Sequence, residues 1–131
     1  MQLRLAIRDF RHGVSVCLAI LDRDESAVIG VCNYTNIVRG TFQSCHLGYA
    51  LDVSHEGQGL MHQALLSSND YMFSEQKLHC IMANYIPRNL RSGHLLRRIE
   101  FVEEGEARSY LKINGRWEDH ILTSLVNPKE L

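Results

Sequence analysis

One stretch decides the fold of this chain: Leu47-Gly48-Tyr49-Ala50-Leu51-Asp52-Val53-Ser54-His55-Glu56-Gly57-Gln58-Gly59-Leu60-Met61. It has the pattern of an apolar strand, then a turn that contains glycine, then the start of a helix. Glycine lets the backbone approach a ligand closely, and the first amides of a helix lack partners within it and favour negative charge. This order therefore suits a diphosphate, although Gly57 and Gly59 are equally consistent with a plain turn between a strand and a helix.

The residues after Gly59 have helical spacing. Apolar or small side chains recur three or four positions apart, at Met61, Ala64, Leu65, Ser68 and Met72. Such spacing places them on one face of a helix. The pattern predicts a helix from about residue 58 to residue 74 or 75, with this face packed in a core.

The bulk composition is that of a soluble globular protein. The chain has 131 residues, of which 45% are hydrophobic and 22% are charged, and its formal net charge is −1. This length predicts a single domain over residues 1–131. The net charge indicates no nucleic-acid partner, and no apolar run approaches the roughly 20 residues of a membrane span. Because the first residues also lack the apolar segment of a signal peptide, we expect a cytoplasmic protein without a membrane partner.

The cysteines and histidines lack the spacing of a metal site. Cys17, Cys32, Cys45 and Cys80 include no Cys-x-x-Cys pair, and the seven histidines include no His-x-x-x-His pair. We therefore expect no bound metal, and we expect the four cysteines to be reduced and structural.

Periodicity and turn signals predict the order of the elements. Strands are predicted at residues 14–21, 27–37, 41–53, 78–85, 102–111 and 117–126, with turns at 22–26, 39–40 and 114–115. Residues 2–12 are predicted to be the end of a helix that stops near Gly13. Asn89 is predicted to cap a second helix, and Gly30 to mark a bulge. This order predicts a mixed sheet, with antiparallel hairpins at both ends and parallel crossovers around the two middle helices.

Several strings of residues together resemble a known family. They are Ile29-Gly30-Val31, Asn36-Ile37-Val38-Arg39-Gly40, Leu47-Gly48-Tyr49, Gln58-Gly59-Leu60-Met61, Ile81-Met82-Ala83-Asn84-Tyr85, Arg91-Ser92-Gly93, and Asn114-Gly115-x-Trp117-x-Asp119-His120. The glycine turn, followed by Asn89-x-x-Ser92 and Phe101, resembles the GNAT superfamily of N-acetyltransferases. Within it, the strings resemble the Rim-type enzymes, the ribosomal-protein N-terminal alanine acetyltransferases.

The resemblance implies an α/β fold with a mixed, mostly antiparallel sheet that splays apart where acetyl-coenzyme A binds. The implied acceptor is an amine, most closely the N-terminal amine of a ribosomal protein. The implied cofactor contacts are Leu51, Asp52 and Val53 for the pantetheine arm, Glu56, Gly57, Gln58, Gly59, Leu60 and Met61 for the pyrophosphate, and Asn89 and Ser92 for the pantetheine and thiol end.

The chain departs from the family pattern at several positions. Ser54 stands where relatives often have Gln or Arg, and Glu100 stands where they have the glycine that ends the second helix. Leu96 stands where many relatives have the tyrosine that protonates the leaving thiolate. The acid is then either Ser92, the catalytic residue that the resemblance implies, or water.

The family also begins with a strand and one or two helices that form part of the acceptor site. This chain is predicted to start near the end of the second of those helices, and so to lack the first strand and helix. An uncovered sheet edge invites pairing with another chain, so a homodimer could supply the missing wall. The alternative function is a non-catalytic module that binds acyl-coenzyme A or forms a dimer. A third alternative is an acetyltransferase for a small amine.

Other polar residues have weaker patterns. Arg88 or Arg91 could meet the 3′-phosphate of the cofactor, because the start of the second helix faces that region. Tyr49, Tyr85 and Tyr110 lie in predicted strands, where packing is the usual role of tyrosine. Adjacent strand residues point to opposite faces, so Asp119 and His120 are not expected to share one site.

Overall fold

The structure is a computed structural model that describes residues 4–11, 14–22, 24 and 27–130. Its strands are β1 (Arg4–Arg11), β2 (Ser15–Leu21), β3 (Val28–Val38), β4 (Ser44–Leu51), β5 (Cys80–Tyr85), β6 (Val102–Ile113) and β7 (Arg116–Val126). Its helices are α1 (Leu60–Ser74) and α2 (Leu90–Arg98), and single turns of 3-10 helix cover Val53–His55 and Pro128–Glu130.

The strands form one mixed sheet, as the sequence predicts. The order is β1-β2-β3-β4-β5-β7-β6. β4 and β5 are parallel and are joined by α1, whereas the other neighbouring pairs in the described sheet are antiparallel. α2 leads from β5 to β6, which runs in the same direction as β5 but lies beyond β7. Both predicted crossovers are therefore confirmed in direction, and only the first joins adjacent strands.

The prediction of a helix end over residues 2–12 is wrong, because residues Arg4–Arg11 form strand β1, antiparallel to β2. Leu3, Leu5 and Ile7 recur every second residue, which is the period of a strand. Leu5 packs against the core, whereas Ile7, on a strand at the edge of the sheet, is 53% exposed. The predicted stop at Gly13 lies outside the described residues.

The other predicted elements are confirmed, with bounds that differ by a few residues. The bulge falls at Ile29, next to Gly30, where the register between β2 and β3 shifts. Asn114 and Gly115 both have positive φ in the turn between β6 and β7. The turn predicted at 22–26 lies largely outside the described residues. No helix in the described part of the chain is both long and apolar enough to cross a membrane.

The core lies between the sheet and the two helices, and most of its helical residues come from α1. The predicted buried face of this helix is confirmed, since Met61, Ala64, Leu65, Ser68 and Met72 are all buried. The hydroxyl of Tyr34 on β3 lies 2.7 Å from Ser68 Oγ and donates to Asn69 Oδ1 at 2.6 Å. These bonds satisfy buried polar groups, which would otherwise be costly, and hold α1 on the sheet.

Helix α2 ends in a conformation that its sequence does not favour. Glu100 has φ +74°, the left-handed region where the family pattern has glycine. Its N–H donates to Arg97 C=O at 3.1 Å, and Phe101 N–H donates to Leu96 C=O at 2.9 Å. These bonds end the helix. The backbone of Glu100 is strained in this conformation, because a residue with a side chain disfavours positive φ.

We expect Glu100→Gly to raise the free energy of unfolding by about 0.5–1 kcal/mol. The left-handed conformation costs an ordinary residue about 1–2 kcal/mol, and the greater flexibility of unfolded glycine offsets about half of this. Urea unfolding followed by circular dichroism measures the change. Glu106→Gly is the matched control: this exposed strand residue pairs with Ile121, so its replacement should lower stability. A loss of stability in Glu100→Gly would contradict the strain.

Candidate active site

Strands β4 and β5 pair over four residues and then part. Their register runs from Ser44 opposite Cys80 to Leu47 opposite Ala83. β4 continues to Leu51 beside β3, and the Asp52 N–H donates to Ile29 C=O at 2.7 Å. Backbone groups of successive strand residues point to opposite sides. The N–H and C=O of Tyr49 and Leu51 therefore point away from β3, into the gap that β5 leaves.

The glycine turn follows at the open end of this gap. Gly57 has φ +79° and Gly59 has φ +73°, a region that favours glycine. No described atom lies within 4 Å of a Cβ placed on either residue. Gly59 is the N-cap of α1, and no described side chain caps this helix. The first amides of α1 therefore have no capping side chain among the described residues, and such amides can bind an anion.

The gap and the glycine turn belong to one cleft of about 480 Å³. Its walls come from β4, the glycine turn, the first turn of α1 and one face of α2. Of the residues that the sequence predicts for the site, the cleft is lined by Leu51, Glu56, Gly57, Gly59, Leu60, Met61, Asn89 and Ser92. One cleft thus brings together the residues predicted for the pyrophosphate and those predicted for the thiol end of the cofactor.

Three of the predicted cofactor contacts are not part of the described lining of this cleft: Asp52, Val53 and Gln58. Asp52 already uses its backbone N–H toward Ile29, and its C=O accepts from His55 N–H at 2.9 Å. Its carboxylate accepts from Ser54 Oγ at 2.7 Å, and this bond lowers the pKa of Asp52. The backbone and the carboxylate of Asp52 therefore stabilise the chain where β4 ends.

The first turn of α2 holds Ser92 at the cleft. Asn89 is the N-cap, as predicted, and its Oδ1 accepts from Ser92 N–H at 3.2 Å. The Ser92 hydroxyl lies 2.5 Å from the hydroxyl of Tyr49 on β4. Burial is the main cause that raises the pKa of Tyr49, and the bond to Ser92 partly opposes it. The result is a pair of hydroxyl groups, both on residues that line the cleft.

An ion pair lies at the rim of the cleft. Arg91 Nη1 on α2 lies 2.5 Å from Glu56 Oε2 in the glycine turn. Both side chains are substantially exposed, so the pair contributes little to stability. Because the ion pair is exposed and weak, Arg91 can exchange the carboxylate of Glu56 for a phosphate. Arg88 instead pairs with Glu118 on β7 at 3.0 Å and is not part of the lining.

The remaining candidate residues lie elsewhere in the described structure. Leu96, which the resemblance places where many relatives have a tyrosine, is only 1% exposed and belongs to the core. Asp119 accepts from Ser109 N–H at 2.9 Å, where β6 bulges opposite it. His120 is buried, and its Nδ1 lies 3.0 Å from Glu118 C=O. Neither Asp119 nor His120 is among the residues that line the cleft.

Six lining residues are absent from the predicted set, namely Tyr49, Ala50, His62, His94, Leu95 and Arg98, whereas Arg91 is a predicted candidate for the 3′-phosphate. The α2 residues among them show a signal in the sequence. Positions 91, 95 and 98 are spaced by four and three from each other, so they share a face with residues near Ser92. Tyr49 lies two residues before Leu51 and hence on the same side of β4. These patterns predict a shared site only once α2 is known to lie over the gap beside β4.

Known proteins share this fold and much of the sequence. The chain is 47% identical over 118 residues to the [Ribosomal protein uS5]-alanine N-acetyltransferase of Escherichia coli K12, covering 90% of the chain and 61% of that relative. The crystal structure of the ribosomal-protein-S5-alanine acetyltransferase of Vibrio fischeri matches with a TM-score of 0.85 and 47% identity. That match covers 89% of the chain and 64% of the other protein.

A third similar protein was solved with a ligand. Mycobacterium smegmatis RimJ in complex with CoA-disulfide matches with a TM-score of 0.84 and 32% identity, over 92% of this chain and 56% of that one. The chain thus spans less than two thirds of the length of these relatives. The sequence model of the acetyltransferase (GNAT) domain family matches residues 2–102 of the chain. Because this match covers most of the chain, the chain belongs to the GNAT acetyltransferase family.

Proposed function

We propose that the chain is an acetyl-coenzyme A-dependent N-acetyltransferase whose acceptor is the N-terminal α-amine of a ribosomal protein. The observation that carries the proposal is the single cleft in which the parted edge of β4, the uncapped start of α1 and the Ser92 hydroxyl meet. The 47% identity to the [Ribosomal protein uS5]-alanine N-acetyltransferase supports the choice of acceptor.

The residues of the cleft fit acetyl-coenzyme A. The empty space beside Gly57 and Gly59 and the free amides of Leu60 and Met61 suit the pyrophosphate. The inward backbone groups of Tyr49 and Leu51 suit the amides of the pantetheine arm, which would then occupy the place of a missing strand. Arg91 at the rim remains our candidate for the 3′-phosphate.

Each part of the cleft has a proposed task in the reaction. Acetyl-coenzyme A supplies an activated acetyl group: the amine nitrogen bonds to the carbonyl carbon, the C–S bond breaks, and the proton that the amine loses balances the one that the sulfur gains. The inward N–H of Tyr49, nearest to the point where β5 leaves, stabilises charge on the carbonyl oxygen, and the Tyr49 C=O and the Leu51 backbone remain for the pantetheine amides. Ser92 donates a hydrogen bond toward the departing sulfur.

The cytoplasm is the proposed location of the protein. All four cysteines lie in the described part of the chain and are free thiols. Free thiols are usual in a reducing compartment. A ribosomal acceptor and acetyl-coenzyme A are both consistent with this location.

We expect Gly59→Leu and Gly57→Leu to weaken the binding of coenzyme A by about tenfold or more, which is about 1.4 kcal/mol, in isothermal calorimetry. A side chain at either position enters the space assigned to the pyrophosphate.

Gly40→Leu is the matched control for this binding experiment. Gly40 also has a positive φ, +69°, and open space around its Cβ, but it lies in the turn before β4 and does not line the cleft. The strain is therefore the same, and only the blocked space differs. Equal affinity in Gly59→Leu and Gly40→Leu would reject the assigned pyrophosphate site.

We expect thiol release from acetyl-coenzyme A to depend on a peptide that begins with alanine. The control is the same peptide with its N-terminus already acetylated, which should give only background release. Spermidine, tested in parallel, separates a small-amine acetyltransferase from a peptide acetyltransferase.

A rise in specific activity with protein concentration would support the proposed homodimer. Tight cofactor binding without turnover on any acceptor would reject the enzyme in favour of a binding module.

A further inference from the structure

A hydrogen bond between Tyr49 and Ser92 joins the sheet to α2 in the cleft. The two hydroxyl oxygens lie 2.5 Å apart, although the residues are separated by 43 positions in the sequence. Tyr49 is half-buried against the core, and both residues line the cleft. A tyrosine that only packed would not need its hydroxyl at this place. The contact therefore links the Tyr49 hydroxyl directly to the Ser92 hydroxyl.

Ser92 is held from two sides. Its backbone N–H donates to Asn89 Oδ1, which fixes the main chain in the first turn of α2. Its side chain would otherwise choose among three staggered rotamers. The bond to Tyr49 selects the rotamer in which Oγ faces β4. The position of the Ser92 oxygen in the cleft thus depends on the Tyr49 hydroxyl.

The direction of this hydrogen bond decides where the Ser92 proton points. A phenol is a stronger acid than an aliphatic alcohol, so Tyr49 is the better donor and Ser92 Oγ the better acceptor. When Tyr49 donates, the serine proton is left free for a third group. The opposite direction would turn the serine proton toward Tyr49 and away from the cleft.

We propose that Tyr49 is a positioning residue, whose hydroxyl donates to Ser92 Oγ and thereby directs the Ser92 O–H into the cleft, toward the thioester sulfur. This inference rests on the proposed acetyl transfer. Tyr49 keeps its own proton throughout. Burial disfavours its phenolate and raises its pKa, which agrees with a donor of hydrogen bonds rather than of protons.

Tyr85 provides a matched control for this role. It is the last residue of β5, and its ring lies beneath Gly93, where an added Cβ would come within 2.9 Å of the Tyr85 hydroxyl. It therefore contacts the same turn of α2 as Tyr49 does. No hydrogen bond joins its hydroxyl to Ser92 in the described structure, and it does not line the cleft. Tyr85→Phe therefore removes a phenol hydroxyl beside the same turn of α2 without removing a hydrogen bond of Ser92.

Turnover kinetics test the coupling between the two residues. We expect Tyr49→Phe to lower kcat by about ten- to a hundredfold, with KM for acetyl-coenzyme A unchanged, and Tyr85→Phe to leave kcat unchanged. Because Tyr49 acts through Ser92, the double variant Tyr49→Phe/Ser92→Ala should be no slower than Ser92→Ala alone. Full activity in Tyr49→Phe, or additive losses in the double variant, would overturn the role.

A second measurement does not need activity. Ultraviolet resonance Raman spectra of the cofactor-free protein report whether a phenol donates or accepts a hydrogen bond, and subtraction of the Tyr49→Phe spectrum isolates Tyr49 from the other four tyrosines. We expect a donor signature that is lost in Ser92→Ala. An acceptor signature, or a spectrum that Ser92→Ala does not change, would overturn the inference. A protein with the donor signature but no turnover would instead reject the proposed acetyl transfer.

Discussion

Where β4 and β5 part, the backbone of β4 loses one of its two neighbours, and the candidate site depends on this loss. Beyond Leu47 the strand keeps its bonds to β3, while no described strand pairs with its other edge. Unpaired N–H and C=O groups in a protein interior are costly unless a ligand or water pairs with them. A ligand with alternating amide groups can take the place of the missing strand. The sheet thus has an edge without a described partner strand in its middle as well as at its outer strands.

Helix α2 lies over this gap because its first turn carries small residues. Ser92 contacts Tyr49 on β4, and Gly93 leaves room for the ring of Tyr85 on β5. A larger residue at either position would move the helix away from the sheet or displace a tyrosine. The two tyrosines therefore set the height of α2 above the gap. The same contacts place a hydroxyl at the inner end of the cleft.

The two ends of the cleft differ in their chemistry. The outer end has the uncapped start of α1, the glycine turn and Arg91, all of which favour negative charge. The inner end has neutral hydroxyl groups and partly buried aromatic surface, where a thioester could lie away from water. A long ligand with phosphates at one end and a reactive group at the other would be oriented by this difference alone. Orientation of this kind would lower the entropic barrier of the proposed transfer step.

Local patterns in the sequence were sufficient for most of the elements and for the glycine turn, because strand period, helix period and positive φ depend on neighbouring residues. They fail for residues 4–11, because apolar residues among charges predict a helix end there, whereas Leu3, Leu5 and Ile7 recur with the period of a strand. The chain by itself thus determined α1, α2, the Asn89 cap and the glycine turn. Only the tertiary structure decided that β4 and β5 part after Leu47, and that Tyr49 meets Ser92 from 43 residues away. No local pattern encodes such a contact, since it exists only when α2 packs across the sheet.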